Sequence, residues 1–166
     1  MPTEFEVYTR LVEFLKAASW QVVCASPPGG TNGRYRKCLL PRRRLDGGEK
    51  GPRDEVDLTA HDGQIILLAE CKAKLSESLT SSSSVLKESD YTKLKRIART
   101  FPPEELAILL NRAYGLALKR DCSVALLLAV GQVDCQPPGD ISIVECGTSA
   151  TSMRAVGELA KGFPSS

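Results

Sequence analysis

Three charged residues, Asp57, Glu70 and Lys72, stand where two short apolar runs begin and end. Asp57 lies near the start of Glu55-Val56-Asp57-Leu58-Thr59-Ala60, and Glu70 and Lys72 close Gln64-Ile65-Ile66-Leu67-Leu68-Ala69-Glu70-Cys71-Lys72. Asp62-Gly63 lies between them, and β-type runs on either side of Asp-Gly predict a hairpin. The two ends of a tight hairpin lie together, so two carboxylates and one ammonium converge at one end of a small sheet. Carboxylate oxygens are the ligands Mg2+ prefers. A lysine beside them can hold or deprotonate a water, or stabilise charge on a phosphate. The set suits metal-assisted phosphodiester hydrolysis. Glu70 and Lys72, two apart, share a strand face with Ile66 and Leu68. They continue an apolar row, whereas surface charges leaving a core would continue a solvated one. Glu55 shares Asp57's strand face and reads either as a reserve ligand or as an exposed charge, and Lys74 extends the Lys72 face.

Asp57, followed thirteen residues later by Glu70 in Glu70-Cys71-Lys72, resembles the PD-(D/E)XK, or restriction-endonuclease-like, nuclease superfamily. Members carry an Asp and then an acid-x-Lys at the end of an apolar strand. The likeness covers the element order from about Thr3 to Val130 and only a few identities, with Val56 where the family often has Pro. It implies an α/β fold with a restriction-endonuclease-like core, a central mixed sheet of about four to five strands flanked by helices in αβββαβ order. It implies a Mg2+- or Mn2+-dependent deoxyribonuclease, an endonuclease of restriction or repair type. Asp57 and Glu70 would bind the cation together with the backbone carbonyl of Cys71. Lys72 would orient or activate the attacking water and stabilise the transition state.

The elements that position these residues can be read from periodicity. Thr3-Glu4-Phe5-Glu6 is a capping box, opening a helix from Glu4 to about Ala18 with Tyr8, Leu11, Val12, Leu15 and Ala18 on one stripe. Glu6 and Glu13 fall opposite that stripe. Glu4 falls along it and has two readings: the accessory glutamate that the resemblance implies near the metal, or an N-terminal charge favoured by the helix dipole. A strand follows over Trp20–Ala25. Residues 27–54 read as a long insertion loop, with a short extra strand over 34–40, and 76–84 as a flexible serine-rich segment. Helices are expected over 90–99, which presents a second basic surface, and from Glu104 to about Lys119. Strands are expected over 122–130 and 141–146, and a last short helix over 153–161. The whole reads as a single nuclease-like domain over 1–166.

Charge is unevenly distributed. From Arg34 to Arg53 eight basic residues face two acidic ones, making that segment +6 in a chain of formal net charge +2, so the remainder is net −4. Such a patch suits a polyanion. Arg34, Arg36, Lys37, Arg42, Arg43 and Arg44 are the candidate nucleic-acid-binding residues, since guanidinium forks suit phosphate and guanine edges; Tyr35 could stack on a base. A solvated loop and a protein-docking loop are the plainer readings. The six cysteines form no C-x-x-C pair and His61 is the lone histidine, which argues against structural zinc. Cys24, Cys71, Cys122 and Cys146 lie in or beside apolar runs as small hydrophobes. With no signal peptide and no run of transmembrane length, an intracellular, reducing, cytoplasmic setting is expected. DNA is the expected partner, with no membrane and no small-molecule cofactor; symmetric cleavage would need a homodimer. The other classes left open are a catalytically inactive nucleic-acid-binding or assembly module of the same fold, and a ribonuclease, disfavoured by the lack of an aromatic-rich RNA motif.

Overall fold

Thr3 opens the first helix, α1 (Glu4–Ala17), its hydroxyl oxygen accepting from the Glu6 N–H at 3.2 Å. Val7, Tyr8, Leu11, Val12 and Leu15 are buried along one face. The computed structural model of the chain describes residues 2–27, 35–42, 53–81, 88–147 and 153–156. After α1 come β1 (Gln21–Ala25), β2 (Cys38–Pro41), β3 (Arg53–Val56), β4 (Leu58–His61), β5 (Ile65–Lys74), α2 (Leu75–Leu79), α3 (Asp90–Thr100), α4 (Pro103–Tyr114), β6 (Ser123–Gln132), β7 (Ser142–Cys146) and β8 (Met153–Val156).

The fold is α/β, with a mixed central sheet in the order β1-β4-β5-β6-β7-β8 and a separate β2-β3 ribbon. β1-β4, β4-β5 and β7-β8 pair antiparallel; β5-β6 and β6-β7 pair parallel. The sheet has six strands, not four to five. The extra strand is β8, where a helix was expected: Met153 pairs with Cys146 and buries its side chain at the sheet. The expected serine-rich segment differs at its start, where Leu75–Leu79 form α2 with Leu75 and Ser78 buried and Asp134 accepting from the Ser76 N–H, while residues 82–84 lie outside the described residues. α4 stops at Tyr114, where Gly115 takes φ +67°, instead of continuing to Lys119.

β5 and β6 are covered on both faces, as near-continuous apolar strands require. Ile65, Leu67, Ala69 and Cys71 pack on the α1 side; Ile66 and Leu68 pack on the side of α3 and α4, with Leu94, Ile97, Leu106 and Leu110. The β2-β3 ribbon lies on that second side, its Leu40 and Val56 in the same cluster.

At the β4-β5 turn Asp62 Oδ1 accepts from the N–H groups of Gln64 at 2.9 Å and Ile65 at 2.7 Å. The turn therefore lies where Asp-Gly placed it. The strand before it is not continuous. Residues 53–56 pair with β2, residues 58–61 pair with β1 and β5, and Asp57 is the bend at which the chain changes sheets.

Cys24 and Cys38 form a disulfide from β1 to β2 with Cα atoms 5.1 Å apart, which corrects the reading of Cys24 as a free small hydrophobe. The β2-β3 ribbon folds back over the end of β1 and brings the two together. Cys71, Cys122, Cys135 and Cys146 are free. No helix among the described residues is long and apolar enough to cross a membrane.

Pro2 is buried over the far ends of β5 and β6, at Gly131. A methyl group on Gly131 would stand 2.9 Å from the Ala73 carbonyl oxygen and 3.0 Å from that of Pro2, closer than packed atoms approach. Glycine lets the N-terminal segment cross there and so fixes where α1 begins. Gly131→Ala is expected to cost about 1–3 kcal/mol in urea unfolding. An unchanged midpoint would mean that the Pro2 segment yields without loss.

Candidate active site

β5 outruns β4. Its register with β4 ends at Leu58–Ala69, while that with β6 continues to Lys74–Gln132. From Glu70 onward the β4-side edge of β5 faces the Asp57 bend. Asp57 fills the gap: Oδ2 accepts from the Cys71 N–H at 2.8 Å, and its carbonyl accepts from the Ser26 N–H at 2.9 Å. The Cys71 carbonyl points to the same side as its N–H, as in any strand residue, and no β4 residue opposes it. The Cys71 side chain is fully buried on the α1 face.

Glu70 faces the other way, towards α3, and is 2% exposed. Lys93, in the first turns of α3, lays its ammonium 2.5 Å from Glu70 Oε1 and donates to the Glu55 carbonyl at 2.9 Å. The Glu70 contact is an ion pair by distance, but its angles give that buried oxygen no directed donor. Lys72, next along the same face, donates to Glu4 Oε1 at 3.1 Å and lies 3.7 Å from Asp90 Oδ2. The latter distance is too long for a hydrogen bond, so Asp90 Oδ2 is a second buried oxygen without a directed donor. Asp90 itself is 7% exposed.

Glu4, Asp57, Glu70, Lys72 and the Cys71 main chain are therefore brought together, as their positions in the sequence suggested. Asp90 and Lys93 were missed as site residues. Their signal was present: Leu94 and Ile97 define the inward face of α3, and Asp90 and Lys93 lie on it at helical spacing. Glu55 is exposed, and only its backbone carbonyl reaches the cluster.

Four carboxyls thus surround two ammoniums, leaving two formal negative charges uncompensated. Three of the acids are pushed above the ordinary carboxylate range. Burial raises the Asp57 carboxyl, partly offset by its hydrogen bonds with Glu70 and the Cys71 N–H and by Lys93. Burial raises Glu70 far more, with the Asp57 and Asp90 charges adding to it. The hydrogen bond between the two carboxyls lowers Asp57 and raises Glu70, so the two titrate as a pair. Asp90 is raised by burial against the pull of Lys72 and Lys93. Burial lowers both lysines, but their acid neighbours outweigh it, so both stay charged.

Among the described residues no three His, Cys, Asp or Glu side chains are grouped to hold a metal ion. Asp57 and Glu70 make a pair of acids, which the Cys71 carbonyl extends to three oxygens. A hard cation such as Mg2+ takes one or two carboxylates and completes its shell with water or phosphate. Two buried carboxylate oxygens without directed donors, in a cluster short of two positive charges, fit such a cation.

The basic segment is engaged elsewhere. Arg36 donates to the Ala113 carbonyl at 3.0 Å and stacks on the Tyr114 ring. Arg42 lies 3.4 Å from Asp54, which Arg96 also grips with two 2.8 Å bonds. Tyr35 packs against the α1 core under Lys16. Lys37 is exposed, and Arg34, Arg43 and Arg44 lie outside the described residues. Three basic residues of the second basic surface read on α3 are also paired: Lys93 with Glu70, Lys95 with Asp140, and Arg96 with Asp54 and Glu88.

Comparison of the chain with protein-family models, with curated proteins and with solved structures finds no match.

The raised carboxyls set a pH dependence. The unfolded chain releases these protons near about pH 4, while the folded site keeps them to higher pH. Over that interval the folded state binds more protons, so stability falls as pH rises. The two lysines stay charged in both states there and contribute no slope. In chelator, the melting temperature is expected to decline as pH rises above about 4, and Glu70→Gln to flatten the decline. A rise over that range would mean the acids are already ionised and fully paired.

Proposed function

We propose that the chain is a metal-dependent nuclease that hydrolyses phosphodiester bonds in DNA. The observation that carries this reading is the meeting of Asp57, Glu70, the Cys71 main chain and Lys72 at one end of β5. The order α1, β1, β4, β5, the α3-α4 crossover and β6 supports a restriction-endonuclease-like core, with β2-β3 and β7-β8 as additions.

Asp57, Glu70 and the Cys71 carbonyl would hold Mg2+ or Mn2+. When bound, that cation would supply Lewis-acid polarisation of the phosphate and a lowered pKa for a coordinated water. Lys72 has a narrower role than its residue type allows. Asp90 and Glu4 keep it protonated, so it stabilises charge on the phosphate and orients the water, and does not take the water's proton. Glu4 and Asp90 hold that ammonium in place from α1 and α3. The described basic residues are mostly paired, which favours recognition of the backbone over dense reading of base edges.

The test is plasmid DNA with Mg2+ or Mn2+, beside chelator and Lys72→Ala. Metal-dependent nicking or cutting that falls at least about a hundredfold in Lys72→Ala is the expected result. DNA binding without cleavage of duplex, single-stranded, branched or RNA substrates would replace this reading with a non-catalytic binding module of the same fold.

A further inference from the structure

Lys93 is held as a cation would be. Its ammonium lies against one carboxylate oxygen, 2.5 Å away on Glu70, and one main-chain carbonyl oxygen, 2.9 Å away on Glu55. Asp57 and Asp90 add their fields to the same position. Glu70 Oε1, the oxygen it touches, is buried and has no directed donor of its own. We propose that Lys93 is a built-in counter-ion which occupies the cation position at Glu70 and is displaced from it when a divalent cation binds. This rests on the reading of Asp57 and Glu70 as cation ligands, and adds that the seat is already taken in the metal-free protein.

The physical basis is competition for one oxygen. A divalent ion coordinated by Glu70 sits about 2 Å from its oxygen. With the ammonium 2.5 Å from that oxygen, the two cations would be repelled strongly in a site with little water to screen them. The lysine can leave: its stem is unbranched with four rotatable carbons, and its side chain keeps 15% of its surface open. A lysine serving only to shape Glu70 would behave differently, because its removal would disorder a ligand and weaken metal binding. Displacement and support therefore predict opposite signs.

The measurement is Mn2+ binding to the whole chain without nucleic acid, followed by the free-ion paramagnetic resonance signal at neutral pH. Wild type, Lys93→Met, Lys93→Arg and Glu70→Gln would be compared. Lys93→Met is expected to bind Mn2+ about tenfold more tightly than wild type, Lys93→Arg no more tightly than wild type, and Glu70→Gln to lose binding. Melting curves should agree, with Mn2+ raising the melting temperature of Lys93→Met more than that of wild type. Lys93→Gln repeats the comparison if Lys93→Met fails to fold. Equal or weaker binding by the neutral variants, with wild type still binding, would overturn the displacement while leaving the cation site intact. No Mn2+ binding by wild type or by either neutral variant would remove the cation site and this inference with it.

Discussion

The placement of Asp57 governs the rest of the site. It is the residue at which the chain leaves the β2-β3 ribbon for the central sheet, and its polar groups are fixed on both sides of that bend. The carbonyl takes the Ser26 N–H and the carboxylate takes the Cys71 N–H. Without the second bond, a backbone donor on the uncovered edge of β5 would be left unpaired in a protected position, which costs about 1–3 kcal/mol. The same bond sets the carboxylate beside Glu70 and leaves the Cys71 carbonyl on the same side. One structural obligation of the strand edge thus puts three oxygens together.

Once assembled, the cluster is unbalanced. Isolated buried charges are costly, and burial in a cluster with two lysines for four acids pushes the Glu70, Asp57 and Asp90 carboxyls above their ordinary range. Asp54 and Arg96, a short way along the same face, meet instead in a two-bond fork. The contrast between those neighbours separates a charge pair that holds the ribbon to α3 from a charge set in which acids are in excess.

Local pattern reveals residues whose signal is local. Asp62-Gly63 and its flanking runs placed the hairpin, and the two-residue spacing of Glu70 and Lys72 placed them on one face. The Thr3 capping box placed α1, and Glu4 on its stripe pointed to the cluster. What failed was long-range. The residues Glu55 to Ala60 have a strand's composition throughout, and nothing local says that their two halves belong to different sheets. Met153–Val156 is short, and only its pairing with β7 decides its form. The Cys24–Cys38 bond depends on how the ribbon folds over β1. Basic residues were counted as free because pairing across 42 positions, as between Asp54 and Arg96, leaves no trace in composition. Lys93 illustrates both sides: its helical face was legible, but the acid it meets lies on another element.

The topology explains why charges gather at this end. β5 and β6 are parallel neighbours, so the chain between them must return across one face, and α3 does so after the turn at α2. A returning helix runs opposite to the strands and starts where they end. Its first turn therefore arrives over Glu70 and Lys72, carrying Asp90 and Lys93 on the face that Leu94 and Ile97 bury. The positive end of the helix dipole comes with it and favours the acids it meets. On the opposite face α1 begins at the same end, because Pro2 is laid over Gly131, and it delivers Glu4 to Lys72. Ligand crevices outside the carboxyl ends of parallel strands arise for this reason in α/β sheets generally. Here the crossover supplies Asp90 and Lys93, the N-terminal strap supplies Glu4, and the sheet-changing bend supplies Asp57. The four remote contributions converge on two residues of β5 because that strand extends beyond its antiparallel neighbour while still paired on its other side.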